Sequence, residues 1–147
     1  MTALTFIDGD WHEGNVPVIG ATSHAIWLGS IVFDGARAFE NVTPDLDRHC
    51  QRVMNSARSL HLKSPLSAED IMEIGLDGVR RFGPDAEVYI RPMLYADAGS
   101  GLLAPDPAST RFVLTVFDAP MPDGEGFSAC LSPFRRPNSE TAPTDAK

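Results

Sequence analysis

Residues 46–82 read LDRHCQRVMNSARSLHLKSPLSAEDIMEIGLDGVRRF and hold two helical patterns with no strand between them. In the first, Leu46, Cys50, Val53, Met54, Ala57 and Leu60 recur at the spacing of one face of an amphipathic helix. Arg48, Arg52 and Ser59 occupy the other face, and Asp45 or Asp47 is placed to cap the start. In the second, Ser67-Ala68-Glu69-Asp70 resembles a capping box with Asp at its fourth position. Ile71, Ile74, Gly75, Val79 and Phe82 form its apolar stripe, and Gly83-Pro84 ends it.

Strand patterns flank this pair. Leu4-Thr5-Phe6-Ile7 enters a turn at Asp8-Gly9, and the chain leaves it through Asp10-Trp11. Residues 17–29 read as irregular chain or a short strand, and Gly29 and Gly35 bracket an apolar run. Ala36-Arg37-Ala38-Phe39 is another strand pattern. Residues 86–95 and 111–117 give the clearest strands. In the first of these, Val88, Ile90, Pro92 and Leu94 face one way, and Tyr89 and Arg91 the other. Pro92 lacks a ladder donor, which predicts a bulge or a sheet edge there. Three strands, two adjacent helices and two strands do not alternate as βαβα. The expected class is α+β with a mostly antiparallel sheet.

The composition changes beyond Phe117. Residues 119–147 contain five prolines. The expected organisation is a small α+β domain over 1–118, a linker over 119–126, and the start of a second, larger domain over 127–147.

The chain has 147 residues, 43% hydrophobic and 22% charged, enough for one well-buried core. Its formal net charge of −8 repels phosphate backbones and anionic lipid, so no nucleic-acid or membrane partner is expected. The longest uncharged stretch, near 16–32, is broken by Pro17, Gly20, Ser23, His24 and Gly29 and is no membrane span. The N-terminus has no basic region followed by an apolar core, so no secretory signal is read. Cys50 and Cys130 lie far apart and read as free thiols of a reducing cytoplasm. His12, His24, His49 and His61 have no metal-ligand spacing with a carboxylate or thiol, so no metal is expected.

Two constellations carry chemistry. Arg48 and Arg52 sit about one turn apart on a polar face. They are either solvated, with neighbours such as Asn55 or Ser56, or a clamp for a phosphate or carboxylate. Tyr89 and Arg91 project from one strand face about 7 Å apart. They either hold a carboxylate between them or pair with an acid such as Glu87.

Four segments together resemble the branched-chain aminotransferases. Leu28-Gly29-Ser30-Ile31-Val32-Phe33-Asp34-Gly35-Ala36-Arg37-Ala38-Phe39 is similar to their G-[ST]-x-V-F-[ED]-G-x-R-[AC]-[YF] segment. Residues 47–57 resemble their H-x-x-R-[LM]-x-x-S-A helix, Tyr89-Ile90-Arg91-Pro92 their Y-I-R-P, and Pro143-Thr144-Asp145-Ala146-Lys147 their P-T-x-x-K. The order and spacing are those of the first half of a family member, so a longer protein is expected. The resemblance implies fold type IV and pyridoxal 5′-phosphate as cofactor. Lys147 would form the Schiff base and move the proton, and Arg52 would bind the phosphate. Tyr89 and Arg91 would hold the substrate carboxylate, and Phe33 and Phe134 would line the pocket. The implied reaction moves an amino group between branched-chain L-amino acids and 2-oxoglutarate, in a cytoplasmic homodimer or larger homo-oligomer. Leu28 stands where many members carry a Tyr that reaches the partner's site. Two alternatives stay open: another class IV enzyme (a D-amino-acid or amine transaminase, or an aminodeoxychorismate lyase), or an α+β interaction domain without catalysis.

Overall fold

The computed structural model describes residues 2–122 and 124–147. Strands β1 (Ala3–Ile7) and β2 (Asp10–Glu13) form a hairpin. Its two-residue turn puts Asp8 at φ 53° and Gly9 at φ 94°, the doubly positive pair that matches strand twist. A short helix α1 (His24–Leu28) precedes β3 (Ile31–Phe33) and β4 (Ala36–Ala38). Helices α2 (Leu46–Ser59) and α3 (Ala68–Arg80) follow, then β5 (Val88–Ala96). A small ribbon of β6 (Gly99–Ser100) and β7 (Ala104–Pro105) leads to β8 (Thr110–Asp118). The main sheet runs β2-β1-β8-β5-β3, with β4 also on β5, and all its pairings are antiparallel. The α+β class read from the sequence is the class observed.

Both long helices cover one face of that sheet. Leu46, Cys50, Val53 and Ala57 of α2 and Ile71 and Val79 of α3 are buried against Val88, Ile90, Leu94, Leu114 and Val116. The alternation in β5 therefore faces as predicted. The capping box forms as read: Asp70 N–H donates to Ser67 Oγ at 3.0 Å, and Ser67 N–H to Asp70 Oδ2 at 2.9 Å. At α2 the expected cap differs. Asp45 takes the N-cap place at φ 52° but makes no capping bond, and its carboxylate lies 3.6 Å from Arg48 Nε instead.

Two expectations are corrected. Residues 17–29 are not wholly irregular, because His24–Leu28 turns as a helix between extended Ser23 and Gly29 at φ 69°. Asp97 fixes its start, accepting from Ser23 Oγ at 2.5 Å and, through its carbonyl, from His24 N–H at 3.0 Å. Pro92 lies at neither a bulge nor an edge. It pairs with Leu114 on one side, and its carbonyl accepts from Asp34 N–H at 3.1 Å on the other. Ile31↔Tyr95 through Ala38↔Val88 keep one constant register, so no residue is inserted. A proline cannot return the second bond of the Asp34–Pro92 pair. That missing bond splits one edge strand into β3 and β4.

Residues 119–122 and 124–147 add no helix or strand. No helix among the described residues is long and apolar enough to cross a membrane. No group of three or more potential metal ligands occurs among them either.

Candidate active site

Asp34 is the centre of the site. Its even position in the β3–β4 strand puts it on the helix side with Val32 and Ala36, under α2, where its exposure is 0%. His49 and Arg52, three residues apart on α2, both reach down to it. Arg52 Nε–H donates to Asp34 Oδ2 at 2.5 Å and Arg52 Nη2–H to Oδ1 at 2.7 Å, a two-bond fork. His49 Nδ1 lies 2.9 Å from Oδ1, and Gly35 N–H donates to the same oxygen at 2.6 Å. Burial by itself pushes the Asp34 carboxyl up. The Arg52, His49 and Gly35 hydrogen bonds, with the Arg52 charge, outweigh burial and hold it below the usual carboxylate range. The same contact raises Arg52. Arg52 keeps 51% of its side chain exposed, and its Nη1 has no partner among the described residues. The open side of the guanidinium can still take an anion. Arg48, at 81% exposure beside Asp45, belongs to the solvated face.

Lys147 is brought to the same carboxylate from far along the chain. Phe33 N–H donates to its carbonyl at 2.8 Å, and its own N–H donates to Ser56 Oγ at 3.1 Å. Ser59 Oγ donates to Asp145 Oδ2 at 2.7 Å. So β3 and α2 together hold the 145–147 segment. Its Nζ comes to 3.9 Å from Asp34 Oδ1 and 5.5 Å from the Phe33 ring centroid. An amine and a guanidinium thus share one carboxylate oxygen, with an aromatic ring beside the amine.

Tyr89 and Arg91 lie on the sheet face away from the helices. The Tyr89 hydroxyl fills the space over Gly35, where an added Cβ would meet it at 1.6 Å. Arg91 stacks on Phe117 at 5.2 Å from its centroid. Neither pairs with Glu87, whose carboxylate accepts from Met121 N–H. Arg91 Nε and Thr115 Oγ1 are buried without partners among the described residues. Both residues line a cavity of about 330 Å³ with Thr5, Asn15 and Phe117. Two orphaned polar groups in one cavity favour an anionic or hydrogen-bonding ligand.

Of the residues read from sequence, Arg52, Lys147 and Phe33 meet at Asp34. Tyr89 adjoins them through Gly35, and Arg91 continues the same sheet face. Phe134 is 86% exposed on the 127–147 segment, outside this group. Sequence reasoning did not single out Asp34, His49 or Ser56. The available signals were a lone carboxylate inside the apolar run 31–39 and a serine in a helix interior, where serine is a poor helix former.

Comparison with known proteins agrees with this geometry. The family model for class IV amino-transferases matches residues 31–147. A probable branched-chain-amino-acid aminotransferase of Synechocystis is 31% identical over 140 residues, covering 88% of this chain and 44% of the relative. The branched-chain-amino-acid aminotransferase of Escherichia coli is 29% identical over 147 residues, covering 93% and 46%. The crystal structure of an aminotransferase from Brucella abortus, bound to the cofactor PLP, superposes with TM-score 0.95 at 48% identity, over all of this chain and 53% of that one. The Escherichia coli branched-chain enzyme superposes at 0.84 with 25% identity, over 100% and 50%. The chain therefore spans about half the length of the proteins it matches. By sequence, fold and the residues gathered at Asp34, this chain belongs to the class IV aminotransferases.

Proposed function

We propose that this chain is the N-terminal half of a pyridoxal-phosphate-dependent aminotransferase that exchanges amino groups between branched-chain L-amino acids and 2-oxoglutarate. The observation that carries the reading is the meeting of Lys147 Nζ and the Arg52 guanidinium on Asp34 Oδ1, at 3.9 and 2.7 Å. A cofactor with an aldehyde at one end and a phosphate at the other needs an amine and an anion fork at fixed separation. Helix α2 sets that separation. It carries Arg52 directly and grips the Lys147 backbone through Ser56, about 6 Å further along its axis.

When bound, the cofactor supplies the electron sink for a carbanion at the substrate α-carbon. The residues of this chain do the rest. Arg52 Nη1 binds the phosphate. Lys147 Nζ would be the covalent attachment point, and once the substrate amine displaces it the freed amine would take the proton from the substrate α-carbon and give it up again. Phe33 beside the amine presents an apolar wall to a branched side chain. Tyr89 and Arg91 hold the substrate carboxylate, and Phe134 completes the wall once the rest of the protein covers it. In this reading 1–118 is the small domain, 119–126 the linker and 127–147 the beginning of the larger domain. The assembly is a cytoplasmic homodimer or larger homo-oligomer.

The test uses the full-length protein. A visible absorbance band of bound pyridoxal phosphate, shifted by L-leucine and absent in Lys147→Ala, is the expected result. D-alanine and a chiral amine leave the band unmoved. A protein without the band, or one that answers D-alanine and not L-leucine, overturns the activity or the substrate class respectively.

A further inference from the structure

We propose that Asp34 is a positioning residue that presents Arg52 to the cofactor phosphate. This rests on the cofactor reading above. An arginine on a helix surface with half its side chain in water samples many rotamers, and an anion that binds it must freeze them. Here that freedom is already gone. Two parallel bonds from Nε and Nη2 to Asp34, at 2.5 and 2.7 Å, fix the plane of the guanidinium. Asp34 cannot swing away, because it has no exposed surface and three other groups hold it. Gly35 N–H and His49 Nδ1 occupy Oδ1 at 2.6 and 2.9 Å, and its own N–H is bonded to Pro92. The fork consumes the Nε side of the guanidinium and leaves the Nη1 side facing outward. A terminal phosphate is the ligand suited to such a pre-set planar edge.

Asp34 also lies 3.9 Å from Lys147 Nζ, so it could act on the amine instead. The two roles separate by chemistry. Pyridoxal has the same aldehyde as pyridoxal 5′-phosphate but lacks the phosphate. An effect through Arg52 is felt only by the phosphorylated compound, whereas an effect through Lys147 is felt by both.

The experiment titrates the full-length apo-protein with each aldehyde and reads bound ligand by absorbance. Asp34→Asn is expected to weaken pyridoxal 5′-phosphate binding about 10- to 100-fold, the range for losing the partner that orients a binding side chain. Pyridoxal affinity moves less than about twofold. Asp34→Asn combined with Arg52→Gln binds the phosphorylated compound no more weakly than Arg52→Gln alone. Asp34→Glu keeps the ion pair and the fold but displaces the fork by one methylene, and loses several-fold for the phosphorylated compound only. Equal losses for both aldehydes in Asp34→Asn or Asp34→Glu overturn the proposal, as do additive losses in the double variant. So does unchanged phosphate-specific binding in Asp34→Glu if Asp34→Asn does not fold. A wild-type protein that binds neither aldehyde overturns the cofactor reading and this proposal with it.

Discussion

At Asp34, burial works against ionisation, and hydrogen bonds from Arg52, His49 and Gly35 work for it. The bonds win, so the folded carboxyl titrates below its unfolded value. Its stabilising contribution is therefore complete above the unfolded value and lost as pH falls through the folded one. Asp70, Asp77 and Asp145 are held low as well, so the acid arm of wild-type stability contains them all. The difference between wild type and Asp34→Asn isolates one carboxylate. Guanidinium unfolding across a pH series should find the variant weaker by about 2 kcal/mol at neutral pH. That is less than for a fully buried pair, because Arg52 keeps half its side chain in water. The gap should close as pH falls through and below the ordinary carboxylate range. A gap that stays constant to the acid end would mean that the charge of Asp34 is not what stabilises. This residue was hard to read from sequence for a physical reason. Its partners lie 15 and 18 positions away, while the pattern around Arg52 offered nearer neighbours at helical spacing.

Helix α3 shows how two glycines three residues apart can demand opposite things. By helix propensity alone, Gly→Ala gains about 1 kcal/mol at either position. At Gly75 a new Cβ would sit 3.5 Å from Ile90 Cγ2 and 3.8 Å from Leu114 and Leu46, ordinary contact. At Gly78 it would meet the Trp11 ring at 2.5 Å and Val116 at 2.7 Å. Neither neighbour can yield easily, since Trp11 Nε1 is anchored to Asp77 Oδ2 at 2.8 Å and Val116 is fully buried. Overpacking of that kind costs about 1–3 kcal/mol and exceeds the propensity gain. Urea midpoints should therefore rise for Gly75→Ala and fall for Gly78→Ala; a rise for both would show that the Trp11 contact is soft. Elements of this kind were the legible part of the chain. The stripes of α2 and α3, the capping box and the Asp8-Gly9 hairpin are local patterns, and each formed where its spacing placed it. Helix α1 was missed because it is a single turn held by Asp97, far along the chain.

At the scale of the helix-and-sheet body, Cys50 reports on the core. Cys50 is packed between α2 and the sheet, where burial first, then the Asp34, Asp47 and Glu69 charges, pushes its thiol up to about 12. Cys130 is exposed. A thiol reagent near neutral pH should leave Cys50 unlabelled until denaturant unfolds the chain, read by mass spectrometry of the peptide that carries it. Fast labelling of Cys50 in the folded protein would mean that the helix layer opens readily. The fold class followed from the order of patterns. The sequence brought Lys147 and Arg52 together only through the family resemblance; spacing and composition do not show the convergence on Asp34, since it rests on a backbone bond from Phe33 N–H to the Lys147 carbonyl and on the one Ser56 hydroxyl that accepts from Lys147 N–H. The proline opposite Asp34 has a mechanical consequence. A ladder with every rung in place resists shear along its whole length. Here one rung is half-built, so the edge is held by the β3 and β4 pairings on either side of it and by the single Asp34 N–H bond between them. That half-built rung falls at Asp34, whose carboxylate lies 3.9 Å from the Lys147 amine.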